Sequence, residues 1–367
     1  MSTIARSLPP PTICCQDVQP FRIARRVNIC RQYDYGSSGG RGRSSSTKYN
    51  ADRISSLFCV FSPTEGRCRP ARFLILGSAT PDLLGQSAES LAGRLETIAL
   101  SPFGLEELGP DAVQRHWRRG GFPQSYLARS EKDSFIWREQ FIRTVLERDP
   151  PQLGIRIPST ALFRFWTMLA HYHGSVWNAA EPARSLGLSQ PTVRRYLDLL
   201  SGLYMVRQLP SWHESLKKRQ VKASKIYLQD SGLLHALLGI RTDREILSHP
   251  KVGASWEGYV IEEILKTVRP DASYFWATHT GAELDLLLFK AGRRYGVEIK
   301  FQDAPRLTPS MRIAMEDLGL EGLTVLYPGD LRYELAERVT VVPLAEIVGG
   351  TFDVLTSAPK KRGGAGR

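Results

Sequence analysis

Two short runs near the C-terminus carry charged side chains inside otherwise apolar segments: Glu283-Leu284-Asp285-Leu286-Leu287-Leu288 and Tyr295-Gly296-Val297-Glu298-Ile299-Lys300. Both read as strands. Successive strand side chains alternate faces, so Glu283 and Asp285 are expected on one face, as are Glu298 and Lys300 on the next strand. Ala291-Gly292-Arg293-Arg294 between the runs carries the glycine of a hairpin turn, which sets the charged pairs side by side. Carboxylates in such a place are unfavourable unless paired or bound to metal.

The pattern around this hairpin predicts an α/β arrangement. A helix is expected over 254–268, with Val260, Ile261, Ile264, Leu265 and Val268 as its inward stripe. Glu257 lies three and four positions before Val260 and Ile261, on that apolar face. Strands over 274–277, 283–289 and 295–301, a helix over 309–318 and strands over 323–327 and 339–342 complete an α/β sandwich. Upstream, helices are predicted over 160–173, 178–186 and 189–200, the last two separated by Gly187-Leu188 as in a helix-turn-helix. Ser189 suits an N-cap and Pro191 a first turn; Val193, Tyr196, Leu197 and Leu200 form the packed stripe and leave Gln190, Arg194 and Arg195 outward. Strands over 204–209 and 225–228, joined by a loop with Lys217, Lys218, Arg219 and Lys222, complete the outline of a winged helix, and Asp230 is expected to cap a short helix. The polar stretch 241–253 reads as a domain boundary. Further upstream, 72–78 reads as a buried parallel strand, followed by a helix over 81–91, a strand over 94–100 and a longer helix over 133–148. Residues 1–69 mix proline, arginine and a Gly/Ser-rich run with little periodicity and read as an unfolded, unrelated segment, with 57–61 as its one strand candidate.

Composition narrows the class. The chain has 367 residues, 42% of them hydrophobic and 23% charged, as expected for two or three globular domains. Its formal net charge of +12 favours an anionic partner, above all DNA. No run of about eighteen apolar residues suggests a membrane span, and no signal-peptide core stands at the N-terminus, so a cytoplasmic protein is expected. All five cysteines fall within the first 68 residues, without the spacing of a zinc site or a disulfide framework.

Asp285, thirteen positions before Glu298, and Lys300 two beyond it, resemble the D...(D/E)-x-K signature of the restriction-endonuclease-like fold. On that resemblance Asp285 and Glu298 hold Mg²⁺, Lys300 is the catalytic cation, and Glu257 is an auxiliary acid. The alternative is a nuclease-like scaffold kept for DNA binding or protein contact, with Glu298 and Lys300 as a solvated ion pair. Arg194, Arg195, Lys217, Lys218 and Arg219 are the expected DNA contacts.

A wider resemblance covers about four fifths of the chain. Phe73-Leu74-Ile75-Leu76-Gly77-Ser78-Ala79, Glu89-Ser90-Leu91-Ala92-Gly93-Arg94, Leu100-Ser101-Pro102-Phe103, Gly120-Gly121-Phe122-Pro123, the run 197–206, the run 222–233 and Ala282-Glu283-Leu284-Asp285 carry it. In this order they resemble AAA-superfamily ATPases predicted in bacteria and archaea that carry a C-terminal domain of unknown function (family 4143). The resemblance implies nucleotide-site roles for Ser78 and Arg94. The chain departs from the pattern at its centre, because no Gly-Lys pair of a P-loop occurs anywhere in it. No ATP hydrolysis by this chain alone is therefore expected. The resulting expectation is a remnant of a P-loop-type ATPase core and helical lid over 70–150, a winged-helix-like middle over 155–235, a restriction-endonuclease-like α/β domain over 250–347, and an unfolded tail over 348–367. The expected activity is DNA binding, with Mg²⁺-dependent cleavage at the C-terminal site. The alternatives are an ATP-dependent switch completed by a protein partner or a second copy, and a non-enzymatic interaction protein.

Overall fold

The computed structural model describes residues 56–60, 73–77, 95–152, 157–213, 223–355 and 358–359. Its first sheet contains β1 (Ser56–Val60), β2 (Phe73–Gly77) and β3 (Leu95–Ala99), in the order β2-β1-β3. Both outer strands run antiparallel to β1. This corrects the expectation of a parallel strand over 72–78, since an apolar run signals a strand without fixing its neighbour's direction. The strand candidate at 57–61 forms as Ser56–Val60 and is the central strand of this sheet. The helix expected over 81–91 lies outside the described residues.

Helices α1 (Leu105–Leu108), α2 (Val113–Arg119), α3 (Pro123–Tyr126) and α4 (Glu131–Gln152) follow. Then come α5 (Ser159–Tyr172), a two-residue β4 (Ser175–Val176), α6 (Ala180–Leu186) and α7 (Gln190–Gly202). The turn before α7 forms as the sequence predicts. Gly187 ends α6 in the left-handed region at φ 66°, and the Ser189 side chain accepts from the Thr192 amide. β5 (Val206–Leu209) and β6 (Lys225–Leu228) pair antiparallel, with β4 on the other edge of β6. β5 starts later than expected because Tyr204 has a positive φ of 59°, which belongs to a turn. Beyond β5 the chain lies along the six-stranded sheet that follows: the Phe275 amide donates to the Pro210 carbonyl at 3.0 Å and the Trp212 amide to the Phe275 carbonyl at 2.8 Å.

Asp230 caps α8 (Ser231–Leu237), as predicted, and also accepts from the Gly121 amide. The stretch read as a boundary contains α9 (Asp243–Ser248), started by a Thr242–Glu245 capping box and anchored by buried Ile246. α10 (Val252–Val268) then leads into β7 (Ala272–Ala277), β8 (Glu283–Lys290), β9 (Arg293–Ile299), α11 (Pro309–Asp317), β10 (Gly322–Tyr327), β11 (Tyr333–Ala336), β12 (Val339–Pro343) and α12 (Leu344–Val348). The sheet order is β11-β12-β10-β9-β8-β7. β7, β8 and β9 form an antiparallel meander, while β10 runs parallel to both β9 and β12. The β8–β9 turn is Ala291-Gly292, both at positive φ, as a two-residue hairpin requires. A short antiparallel pair, β13 (Phe352–Asp353) with β14 (Ala358–Pro359), ends the described chain.

Trp256, Val260, Ile261 and Ile264 of α10 pack with Leu286, Leu288, Val297 and Ile299, while Met311, Ala314 and Leu318 pack with Leu284, Leu287, Leu323 and Val325. Each large side chain buried this way contributes about 2 kcal/mol. The α10 core also contains Leu105, Trp117, Leu209 and Tyr227, so the helical region and the six-stranded sheet share one apolar interior. Gly258 allows this close approach: a Cβ there would sit 2.2 Å from His173 Nε2. Among the described residues no helix is long and apolar enough to cross a membrane.

Candidate functional site

Four elements converge at one end of the β7–β8–β9 meander. β8 supplies Glu283 and Asp285, β9 supplies Glu298 and leads into Lys300, α10 supplies Glu257, and β6 supplies Lys225 and Tyr227. Between Tyr274↔Leu287 and Trp276↔Leu284, two steps on β7 face three on β8. The extra residue is a bulge that breaks the expected alternation beside Asp285, a device that re-aims side chains next to functional sites. The register pairing Leu286 with Val297 continues to place Asp285 opposite Glu298, and Asp285 Oδ2 accepts from the Ile299 amide at 2.8 Å.

Lys225 ties three of the carboxylates together. Its Nζ lies 3.3 Å from Glu257 Oε1 and 3.9 Å from Asp285 Oδ1, and it also donates to Glu283 Oε1. Tyr227 donates its hydroxyl proton to Glu257 Oε1. On the other side, Lys300 Nζ donates to Glu298 Oε1 at 2.6 Å. Glu298 Oε2 is buried with no hydrogen-bond partner.

Electrostatic strain is concentrated here. Burial, reinforced by Asp285, pushes Glu298 up to about 8 despite Lys300. Burial and Asp285 likewise push Glu257 up to about 7, against Lys225 and Tyr227. Burial also raises Asp285, although Lys225 and Lys300 oppose it. Burial disfavours the Lys225 ammonium, yet Glu257, Asp285 and Glu283 outweigh it and hold its pKa above the ordinary lysine value. With every group ionised, four carboxylates face two ammonium groups, an excess of two negative charges.

Asp285, Glu298, Lys300 and Glu257 therefore come together. Glu298 is only 5% exposed, so its pairing with Lys300 is not a solvated surface contact. Among the described residues no three His, Cys, Asp or Glu side chains are arranged to hold a metal ion. Asp285 and Glu298 form a two-carboxylate pair opposite each other on β8 and β9. Arg194 and Arg195 are exposed on α7, apart from this centre in sequence and element. Ser78, Arg94, Lys217, Lys218 and Arg219 lie outside the described residues.

Sequence reasoning missed Lys225 and Tyr227. The signal was available: polar Lys225 and Tyr227 alternate with Ile226 and Leu228, the same pattern that marked the other two strands.

Two family models match the chain. Residues 110–244 match a domain of unknown function, DUF8612, and residues 252–347 match a domain of unknown function, DUF4143. The chain is 48% identical over 312 residues to "Uncharacterized protein Rv2008c" of Mycobacterium tuberculosis, an alignment covering 84% of this chain and 71% of that protein. "Uncharacterized protein Mb2031c" of Mycobacterium bovis matches with the same identity and coverage. The chain belongs to the family of these two mycobacterial proteins. No solved structure matches it. In this family member Lys225 and Tyr227 come from the DUF8612 region, while Glu257, Glu283, Asp285, Glu298 and Lys300 come from the DUF4143 region. The candidate site is assembled across both.

Proposed function

We propose that this chain binds DNA and cleaves phosphodiester bonds in a metal-dependent reaction at the Asp285–Glu298–Lys300 centre. One observation carries the reading: Asp285 and Glu298 are buried side by side, with Glu298 Oε2 unpartnered and Lys300 adjacent. Those residues fit Mg²⁺, which takes one or two protein carboxylates and retains several waters. A divalent cation would satisfy the orphan oxygen and favour the ionised forms of Asp285 and Glu298, which burial otherwise opposes. Asp285 and Glu298 would hold it, and the bound ion would supply Lewis-acid activation of water and phosphate. Lys300, 31% exposed at the side chain, can stabilise negative charge on a phosphate oxygen. Glu257 orients Lys225 and Tyr227 behind the carboxylates as the auxiliary acid.

DNA as the substrate is supported by the net charge of +12 and by the α5–β4–α6–α7–β5–β6 succession, the topology of a winged helix. In that reading α7 is the recognition helix and exposed Arg194 and Arg195 contact phosphate or guanine. The blocks that resemble AAA-type ATPases support an ATPase ancestry, and the meander followed by a β9–α11–β10 crossover supports a nuclease-like C-terminal region. ATP hydrolysis by this chain alone is not part of the reading, since the sequence has no Gly-Lys pair.

Incubation of supercoiled and linear DNA with the full chain and Mg²⁺ should give cleavage that Asp285→Ala reduces to background while the variant remains folded by circular dichroism. Equal product from both proteins removes this centre as the site of cleavage.

A further inference from the structure

Three carboxylates gathered around one point normally announce a metal site, yet here that point is filled by the protein's own ammonium group. Lys225 Nζ sits within ion-pair distance of Glu257 Oε1, Glu283 Oε1 and Asp285 Oδ1. The group is firmly seated. Lys225 is 4% exposed, its ammonium lies 5.5 Å from the Phe275 ring centroid, and its backbone is paired on both sides, with Leu209 of β5 and Val176 of β4. Lys300 is different: its side chain is 31% exposed, and its one carboxylate hydrogen bond is to Glu298. One lysine is built into the interior and the other is partly open to solvent. The oxygen left without a partner belongs to Glu298, which is not among the carboxylates Lys225 reaches.

We propose that Lys225 is the fixed cation of this centre, taking the place of a second divalent ion between Glu257, Glu283 and Asp285 and restricting the site to one exchangeable ion on Asp285 and Glu298. The inference deepens the metal-dependent reading above and rests on it. It gives the DUF8612 region a part in the centre: β6 delivers the charge that sets how many metal ions the DUF4143 carboxylates accept. Glu283 is then a partner of Lys225 and not a metal ligand. Glu257 is committed to Lys225 and Tyr227, which explains why no third carboxylate stands ready for a metal among the described residues.

Mn²⁺ binding to the metal-free full chain, followed by the electron paramagnetic resonance of free ion, tests this without relying on cleavage. Wild type should bind one Mn²⁺ per chain and Lys225→Met two, with Lys225→Arg remaining at one. Lys225→Met should melt at a lower temperature than wild type in chelator and recover on adding Mn²⁺. Glu283→Gln, at a partly exposed position, should change Mn²⁺ affinity by no more than about threefold. One Mn²⁺ in both wild type and Lys225→Met overturns the inference and leaves the nuclease reading standing. Mn²⁺ binding by neither removes the metal centre and both proposals with it. Loss of about tenfold or more affinity in Glu283→Gln, or roughly 1.4 kcal/mol, also overturns the inference by making Glu283 a ligand. Should Lys225→Met fail to fold, the Glu283→Gln result decides alone.

Discussion

Near the C-terminal end of α10, Glu262 and Glu263 are buried with all four carboxylate oxygens partnered; near its N-terminal end, Glu257 belongs to a cluster that is not balanced. Arg207 takes both oxygens of Glu262, while Lys266 and the Leu105 amide take one each of Glu263. Burial alone would raise Glu263, but Lys266, His116 and the Leu105 amide outweigh it and hold its pKa below the ordinary value. At the other end burial wins, and Glu257 rises to about 7. The same helix carries carboxylates in both places, so the difference lies in what the neighbouring elements offer. The matched end joins α1 and β5 to the helix. The unmatched end is held together by the surrounding core at an electrostatic cost, a pattern that marks functional sites more often than structural ones.

The largest expected effect comes from breaking the matched end. Glu263→Ala strands the Lys266 ammonium and leaves the Leu105 amide without its acceptor in the interior. Removing one partner of a buried ion pair costs about 3 kcal/mol or somewhat more. Urea denaturation of variant and wild type measures it. A loss below about 1 kcal/mol would place this end of α10 in the same class as a surface pair and dissolve the contrast.

A second effect depends on pH and comes from two buried histidines packed against α10. His235, between the Ser255 hydroxyl and the Arg118 carbonyl and near the charges of Arg138 and His249, is pushed down to about 3, chiefly by burial. His173 is also pushed down to about 3, by burial first, then by Lys251 and His235. Both are neutral in the folded chain. Their unfolded counterparts take up protons below about 6.5, so the stability they contribute is full above that value and is lost as pH falls from 6.5 toward 3. Between pH 7 and pH 5 each contributes a loss of about 2 kcal/mol. His235→Gln should therefore lose about 2 kcal/mol less than wild type over that interval in urea titrations at the two pH values. Parallel losses would mean that His235 does not titrate on unfolding.

Local pattern made the elements of this comparison legible, but not their meeting. The α10 stripe, the hairpin of β8 and β9 and the cap of α7 all follow from alternation, helical spacing and turn residues, and they formed where expected. Lys225 did not, because its burial depends on Glu257 and Glu283, which lie 32 and 58 positions further along the chain. Its strand formed over 225–228 as predicted, but local pattern does not say where the ammonium group goes. β11 was also missed: as an edge strand paired irregularly with β12, Tyr333–Ala336 lacks a buried alternating face. The polar surface of α9 concealed a helix whose one buried anchor is Ile246.

At the unmatched end, Glu298→Gln should act in the opposite sense from Glu263→Ala. It replaces a carboxyl whose ionisation burial and Asp285 oppose with an amide that cannot ionise, and gives the orphan position a group that can donate as well as accept. The expected result is a gain of about 1 kcal/mol in metal-free buffer, together with loss of Mn²⁺ binding. A destabilisation comparable with that of Glu263→Ala would show the two ends to be equally structural.

The smallest expected change in stability lies outside both ends, on the exposed face of α7. Arg194 and Arg195 flank the buried stripe of Val193, Tyr196 and Leu197 without joining it. Replacing both with alanine should shift stability by no more than about 0.5 kcal/mol. DNA binding should respond differently. If each arginine neutralises one phosphate, the double variant binds more weakly at every salt concentration, and its slope of log affinity against log salt becomes shallower by roughly two. Fluorescence anisotropy across a salt series reads both quantities. An unchanged slope would remove α7 from the DNA interface, and the basic charge of this protein would then have to act from other surfaces than the helix that follows the Gly187 turn.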